Sequence, residues 1–187
     1  MHSQRIMVAG GSVGYSPASV GVQRAARIVS FLVFMFIGAQ LAVRLPFTPV
    51  PVTMQTLFVI LAGVTLGARD GLIAMISYLA LGLSGVPLFA GFAFGPAVLL
   101  GPTGGYLLAF PVAAYLAGTV CERRGTGRAL CLLTAWLGSA VILLSGTAHI
   151  ALVTGSDFGN AAAIALLPFV AGELIKGVLV AAIAGRR

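Results

Sequence analysis

Long, continuous apolar stretches dominate this chain and constrain its fold more than any other feature. One of them, residues 163–185, is long enough to cross a bilayer and carries only two charges, Glu173 and Lys176. Overall, 59% of residues are hydrophobic and 8% are charged, against roughly 25% charged residues in a typical soluble domain. Backbone polar groups inside a bilayer must be satisfied within helices or a closed barrel, and runs that do not alternate favour helices. The sequence therefore predicts an all-α integral membrane protein.

Six membrane segments can be drawn along the chain. They cover residues 26–45, 54–66, 71–83, 104–120, 129–153 and 161–184. The second and third are short against the roughly 20 residues that a full crossing requires, and short helices are tolerated where they line a protein cavity. No sustained apolar core precedes Ile28, which argues against a cleaved signal peptide. We predict a flexible cytoplasmic tail over residues 1–25 and a six-helix membrane domain over residues 26–187.

The distribution of arginines determines the predicted orientation. With the N-terminus in the cytoplasm, the outer side of the membrane receives one arginine, Arg44. The cytoplasmic side receives nine: Arg5, Arg24, Arg27, Arg69, Arg123, Arg124, Arg128, Arg186 and Arg187. This excess follows the positive-inside rule for multi-pass membrane proteins. It predicts an even number of crossings, with both termini in the cytoplasm.

The two long outer connections are too apolar for ordinary solvated loops. Residues 44–53 read RLPFTPVPVT, and the three prolines in this stretch fix the backbone. Residues 85–105 are rich in glycine, proline and phenylalanine, and glycine allows close backbone approach. We interpret the two loops as a lid over a pocket. The alternative is that both loops simply pack on the helix ends.

Glu173 and Lys176 are the first candidates for a binding site. Their i, i+3 spacing places both side chains on one helix face, and charges within membrane helices usually mark functional sites. A lysine can pair with a carboxylate, and a glutamate can accept hydrogen bonds from N–H groups. The pair therefore predicts a small ligand that carries an acid and a urea- or amide-like group. The alternative is an internal ion pair that matters only for folding.

Further candidates lie at the outer ends of the segments. Gln55 opens the second segment and can donate and accept hydrogen bonds, unless it is a solvated helix end. Tyr106 begins the fourth segment at the same level, where tyrosine also occurs as a plain interfacial residue. Phe89, Phe92 and Phe94 in the second outer loop could stack on a ligand ring or could only pack. These residues extend the predicted pocket beyond the charged pair.

Gly38 and Ala42 form a small-xxx-small pair in the first segment, and Ala39 adjoins them. Residues of this size let the backbone of a second helix approach closely. The sequence leaves open whether that helix belongs to this chain or to a partner protein.

Little in the chain points to catalysis. Ser145 and His149 lie at i, i+4 and could form a nucleophile and base, but no GxSxG elbow or third orienting residue accompanies them. Cys121 and Cys131 flank a basic loop without metal-ligand spacing, so we expect inert thiols, no disulfide and no metal site. The sequence contains no GxxxxGKS or GxxxxGKT motif, so ATP hydrolysis would have to come from another chain. We predict that this chain is not an enzyme and carries no cofactor.

Four stretches of the sequence resemble the BioY family, the biotin-specific substrate-binding components of energy-coupling factor (ECF) transporters. They read VPVTMQTLFVILAGVTLGARDG, YLALGLSGVPLFAG, LLGPTGGYLLAFPVAAYLAG and PFVAGELIKGVLVAAI. The likeness covers residues 27–184, and GPTGGYL and PVTMQT are its most specific parts. The family has an acidic residue three positions before a lysine in its last helix. Here these are Glu173 and Lys176, and glutamate is one methylene longer than the aspartate more familiar in the family.

The resemblance implies a six-helix ECF substrate-component fold that holds biotin near the outer face, as the capture subunit of an ABC-type importer in a prokaryotic cell membrane. It implies that Glu173 binds the ureido group and Lys176 the valerate carboxylate. Some members have an asparagine near the ureido ring where this chain has Gly91, so that contact must be replaced or missing. It also implies a transmembrane coupling protein and two ATPase subunits as partners, with docking at Gly38 and Ala42.

Two other functions stay open at this point. One is a self-sufficient carrier for biotin or a related small carboxylate, driven by a proton or sodium gradient with Glu173 as the coupling site. The other is an intramembrane enzyme that uses Ser145 and His149, which the missing nucleophile elbow disfavours.

Overall fold

Eight α-helices and one short β-ribbon make up the part of the chain that the computed structural model describes, residues 17–185. The ribbon pairs β1 (Ala42–Val43) with β2 (Val52–Thr53) in antiparallel register, and a single 3-10 turn covers Ala90–Phe92. The helices are α1 Pro17–Gln40, α2 Gln55–Leu66, α3 Ala68–Leu83, α4 Ala97–Leu100, α5 Gly104–Arg124, α6 Arg128–Thr154, α7 Phe158–Ala165 and α8 Leu167–Ala184.

Four helices within residues 17–185 are long and apolar enough to cross a membrane. They are Ser19–Gln40 of α1, Gly104–Arg124, Arg128–Thr154 and Leu167–Ala184. The helix α2 is also apolar but has only 12 residues, and α3 has 16, in line with the short second and third segments expected from the sequence. The structure is therefore that of a helical membrane protein. The number of crossings and the side on which the termini lie stay predictions.

The first helix differs from its predicted bounds at both ends. It begins at Pro17, so residues 17–25 continue the helix instead of forming a tail. The rest of the predicted tail, residues 1–16, lies outside the described residues. The helix ends at Gln40, because the chain then turns into β1 and pairs Ala42 with Thr53 of β2.

The predicted sixth segment is two helices, α7 and α8, and the expectation of one continuous helix is wrong. The break lies at Leu166, whose backbone (φ −124°, ψ −59°) departs from helical geometry. Pro168 follows at the start of α8, and its ring nitrogen has no hydrogen to donate to the preceding turn. The helix therefore begins again at Leu167, six residues (173 minus 167) before Glu173.

Close helix packing places α5 at the centre of the bundle, where it contacts α2, α3 and α6. Gly63 makes this possible on α2, because a Cβ at that position would lie 2.1 Å from the carbonyl oxygen of Ala114. Gly118 has the same effect on α5, since its Cβ would lie 2.3 Å from the backbone nitrogen of Ala68. Small residues of this kind let backbones approach where helices pack in a membrane.

Polar contacts tie the helices together at the end of the bundle that holds the starts of α1 and α3. Arg24 forms an ion pair with Asp70 at 2.6 Å, and Glu122 accepts a hydrogen bond from the backbone N–H of Ala68 at 2.8 Å. Of the arginines predicted to be cytoplasmic, those within residues 17–185 lie at this end, in the first half of α1, the start of α3, the end of α5 and the start of α6: Arg24, Arg27, Arg69, Arg123, Arg124 and Arg128. Arg5, Arg186 and Arg187 lie outside the described residues.

Candidate ligand-binding site

A cavity of about 370 Å³ lies at the other end of the bundle, beneath the proline-rich loop that joins β1 to β2. The starts of α2 and α5, the middle of α6 and the first half of α8 form its walls. Five of the predicted site residues line it: Gln55, Phe89, Tyr106, Glu173 and Lys176. The structure thus brings together residues that are up to 121 positions apart (176 minus 55) in the sequence.

The floor of the cavity is a buried, hydrogen-bonded ion pair. Glu173 and Lys176 are only 5% and 7% exposed, and Lys176 Nζ lies 2.6 Å from Glu173 Oε1. The Thr56 hydroxyl joins the two, because it donates to Glu173 Oε1 at 2.8 Å and accepts from Lys176 Nζ at 2.8 Å. Ser139 on α6 donates to the second carboxylate oxygen, Oε2, at 2.6 Å.

This network leaves hydrogen-bonding capacity free on both charged groups. An ammonium group has three protons, and Lys176 uses two of them on Thr56 and Glu173. A carboxylate offers about four lone-pair sites, of which Glu173 fills three within the described residues. One donor on Lys176 and one acceptor site on Glu173 therefore remain unused within the described residues, and both residues line the cavity.

Gln55 is held by a chain of hydrogen bonds beside the pair. Its Nε2 donates to the Tyr78 hydroxyl at 2.9 Å, and that hydroxyl donates to the Leu88 carbonyl at 2.8 Å. Its Oε1 accepts from Thr53 Oγ1 at 3.2 Å. Gln55 is 5% exposed, so it is not a solvated helix end. The hydrogen bonds through Tyr78 link it, at the start of α2, to the second outer loop.

Tyr106 contributes its ring to the cavity and its hydroxyl to the fold. The hydroxyl donates to the backbone carbonyl of Ala165, the last residue of α7. The ring packs so closely on Gly146 that a Cβ there would lie 2.3 Å from it, and it meets the Phe169 ring at a centroid distance of 6.3 Å. Tyr106 is 7% exposed and is therefore a wall residue of the cavity.

The aromatic residues of the second outer loop divide into buried and exposed ones. Phe89 is 2% exposed, lines the cavity and meets the Tyr78 ring edge-on at 5.6 Å. Phe92 and Phe94 are 60% and 58% exposed and lie outside the cavity lining. Gly91 lines a neighbouring pocket of about 230 Å³ instead. Ligand contact by Phe94 and Gly91 stays a prediction that the cavity geometry does not support.

Comparison with known families decides what kind of protein this is. The BioY family model matches residues 9–187. The chain belongs to the BioY family. It is 40% identical over 159 residues to the probable biotin transporter BioY of Pyrococcus horikoshii, covering 85% of this chain and 92% of that protein. It is 36% identical over 166 residues to the biotin transporter BioY of Thermotoga maritima, covering 83% and 90%.

The fold of this BioY-family chain is similar to a solved one. The crystal structure at 2.1 Å of the S-component for biotin from an ECF-type ABC transporter superposes with a TM-score of 0.83 at 24% identity, covering 91% of this chain and 93% of that one. This likeness shows an ECF substrate-component fold. Together with the apolar helices, family membership identifies a multi-pass prokaryotic membrane protein, and the resemblance stated from the sequence is confirmed.

Docking of a partner protein at Gly38 and Ala42 stays a prediction, but Gly38 in this BioY-family structure already packs within its own chain. Gly38 is buried against α2 of the same chain, where a Cβ would lie 2.7 Å from the Phe58 ring. Its carbonyl accepts a hydrogen bond from the Met54 N–H at 3.1 Å. Ala42 lies beyond the end of α1, paired with Thr53 in the ribbon. The close approach that the small residues allow is therefore made within the chain.

Ser145 and His149 do not form a nucleophile and base pair. Ser145 Oγ donates to the Gly105 carbonyl at 2.8 Å, and the His149 ring nitrogen Nε2 lies 3.0 Å from the Gly101 carbonyl. Ser145 thus holds α6 against the start of α5, and His149 holds it against the loop that precedes α5. Within residues 17–185 no hydrogen bond joins the two side chains to each other.

Sequence reasoning missed four residues of the site: Arg44, Thr56, Tyr78 and Ser139. Thr56 and Ser139 complete the ion-pair network, Tyr78 supports Gln55 from a fully buried position, and Arg44 lines the cavity at its loop. Arg44 alone carried a signal in the sequence, as the single arginine on the predicted outer side.

Proposed function

We propose that this BioY-family chain is the biotin-binding subunit of an ECF-type ABC importer and captures biotin from the outer side of the membrane. The observation that carries the proposal is the buried Glu173–Lys176 pair, which lines the cavity and keeps one acceptor and one donor unused. Buried charges without a ligand to complete them are costly. The relatives from Pyrococcus horikoshii and Thermotoga maritima, both named biotin transporters, support the choice of biotin.

A ureido group matches the free positions of the pair, because it presents N–H donors beside a carbonyl acceptor. We assign a ureido N–H to Glu173 and the ureido carbonyl to Lys176. The division predicted from the resemblance places the valerate carboxylate on Lys176, but Lys176 Nζ lies 2.6 Å from Glu173 Oε1. The two opposite ends of an extended biotin cannot both reach groups that are in contact with each other. The rings of Phe89 and Tyr106 supply apolar wall for the remainder of the bicyclic ring system.

Biotin binding by purified variants tests this site. We expect Glu173→Gln and Lys176→Met each to reduce biotin affinity at least about 100-fold, since each removes a desolvated charged contact. A single change also leaves the partner charge buried and unpaired, which costs about 3–5 kcal/mol of folding free energy. The double variant Glu173→Gln/Lys176→Met avoids that cost and must still fail to bind in calorimetry.

Glu122→Gln is the matched control for these variants. Glu122 lies at the opposite end of the bundle, where it accepts a hydrogen bond from the Ala68 N–H that a glutamine oxygen can also accept. We expect biotin affinity to be unchanged. Undiminished biotin binding by the double variant would refute the proposed site.

We further propose that six helices, α1, α2, α3, α5, α6 and α8, cross the membrane with both termini in the cytoplasm. An ECF coupling protein and two ATPase subunits would supply the energy for release inward. Vesicles that contain this chain alone should bind biotin but not accumulate it, and co-reconstitution with those subunits and ATP should restore accumulation. Uptake driven by a proton or sodium gradient in vesicles without partners would instead establish the ion-coupled carrier.

A further inference from the structure

Three charged side chains line the cavity within residues 17–185: Arg44, Glu173 and Lys176. Glu173 and Lys176 neutralise each other at 2.6 Å. Arg44 makes neither of the ion pairs found in the described chain. The cavity therefore has a net charge of about one positive unit, and that charge resides on Arg44. Such a balance suits a ligand with one negative charge.

Arg44 and the ion pair lie at different depths. Glu173 and Lys176 are almost completely buried, whereas Arg44 is exposed and immediately follows β1, at the start of the proline-rich loop. Arg44 also lines the neighbouring pocket of about 230 Å³. Its Nη2 lies 3.1 Å from the position that a Cβ on Gly91 would occupy. The guanidinium thus lies at the mouth of the cavity, between the first and second outer loops.

The ligand proposed above has its polar groups at opposite ends. A second ring and four methylene groups separate the ureido group from the carboxylate of biotin. If the ureido group occupies the one donor and one acceptor left on the buried pair, the carboxylate cannot reach Lys176 as well. It must lie toward the mouth, where an unpaired guanidinium can bind both of its oxygens.

We propose that Arg44 binds the ligand's carboxylate and is the residue that selects a free acid over a neutral tail. The assignment rests on the proposed function, because it takes the orientation of biotin from the ion pair at the floor. Because Arg44 stands over Gly91, the bound carboxylate would also lie against the second outer loop. The ligand would then bridge the two loops that cover the site.

Calorimetry with two ligands, biotin and its uncharged amide biotinamide, tests the assignment on the full-length chain in detergent. We expect the unmodified chain to bind biotin about tenfold more tightly than biotinamide, because one charge-assisted hydrogen bond that is partly exposed to solvent contributes about that much affinity. Arg44→Gln should weaken biotin about tenfold and leave biotinamide unchanged, so that the preference disappears. Arg44→Lys, which keeps the charge but not the two-pronged geometry, should retain part of the preference.

Arg124→Gln is the matched control, because Arg124 is an exposed arginine at the other end of the bundle. The affinities of this variant for biotin and for biotinamide should equal those of the unmodified chain. Equal weakening of biotin and biotinamide by Arg44→Gln would assign Arg44 a structural role and overturn the proposal, as would unchanged biotin binding. If the unmodified chain binds neither ligand, the proposed function itself fails, a result distinct from loss of the preference alone.

Discussion

The hydroxyl of Thr56 joins the two charged residues of the site, because it donates to Glu173 Oε1 and accepts from Lys176 Nζ. It lies at the start of α2, whereas both charged residues belong to α8. One small side chain therefore sets how the carboxylate and the ammonium are turned toward the cavity. Ser139 does the same for the second carboxylate oxygen from α6.

Thr56→Val tests this role at the level of a single residue, since valine keeps the shape and loses both hydrogen bonds. We expect biotin affinity measured by calorimetry to fall about 10- to 100-fold, as charge-assisted hydrogen bonds contribute about 1.5–3 kcal/mol. Thr119→Val is the control, because the Thr119 hydroxyl donates to the Tyr115 carbonyl of its own helix. Equal affinities for the Thr56 and Thr119 variants would contradict the role of Thr56.

At this scale the sequence predicts some site residues and not others, for a physical reason. Glu173 and Lys176 are recognisable because charges are rare and costly inside a membrane helix. Thr56 is 117 positions from Glu173 and Ser139 is 34 positions from it, and hydroxyl residues are common in membrane helices. Their part in the network depends on the register between helices, which no local pattern encodes.

The contact between α2 and α5 depends on the absence of a side chain at Gly63. Gly63→Ala would place a Cβ 2.1 Å from the Ala114 carbonyl oxygen, so the two helices would have to move apart. Overpacking of this kind typically costs about 1–3 kcal/mol. We expect a clearly lower thermal unfolding midpoint in detergent.

Gly172→Ala serves as the control for that change, because a Cβ on Gly172 of α8 would meet nothing within 4 Å. Its unfolding midpoint should stay close to that of the unmodified chain or rise slightly, since alanine favours the helix. If Gly63→Ala and Gly172→Ala unfolded at the same temperature, the close approach of α2 and α5 would not limit stability.

At the scale of elements, hydropathy predicts helices better than it predicts breaks within them. The segments expected at 54–66 and 104–120 agree closely with α2 and α5. The segment expected at 161–184 breaks at Leu166, before Pro168. A proline alone does not decide this, because α5 continues through Pro111. Whether a helix bends, continues or restarts at proline depends on which neighbouring groups satisfy the freed carbonyls.

At the scale of the whole molecule, the cavity and the arginine-rich helix ends lie at opposite ends of the bundle. Labelling of introduced cysteines tests which end faces the outside of the cell. The native Cys121 and Cys131 are buried, so they should react slowly and give little background. Phe47→Cys, at a 60% exposed position in the first outer loop, should react with a membrane-impermeant maleimide on intact cells. Arg124→Cys should react only after permeabilisation. The reverse pattern would place the cavity on the cytoplasmic side and contradict the positive-inside assignment.

The hydrogen bond from Tyr106 to the Ala165 carbonyl lies where the chain interrupts its last apolar stretch. Leu166 is the acceptor for the N–H of Phe169, so the helical ladder leaves the oxygen of Ala165 without its usual partner. The Tyr106 hydroxyl thus satisfies the backbone oxygen at the helix break, while the ring of the same residue forms part of the cavity wall. Tyr106→Phe would keep the ring and leave the buried Ala165 oxygen without this hydrogen bond. Tyr106→Ser would remove the ring from the cavity wall, and its hydroxyl would be too close to the backbone to reach the Ala165 oxygen. Few substitutions of Tyr106 can therefore preserve both the cavity wall and the hydrogen bond.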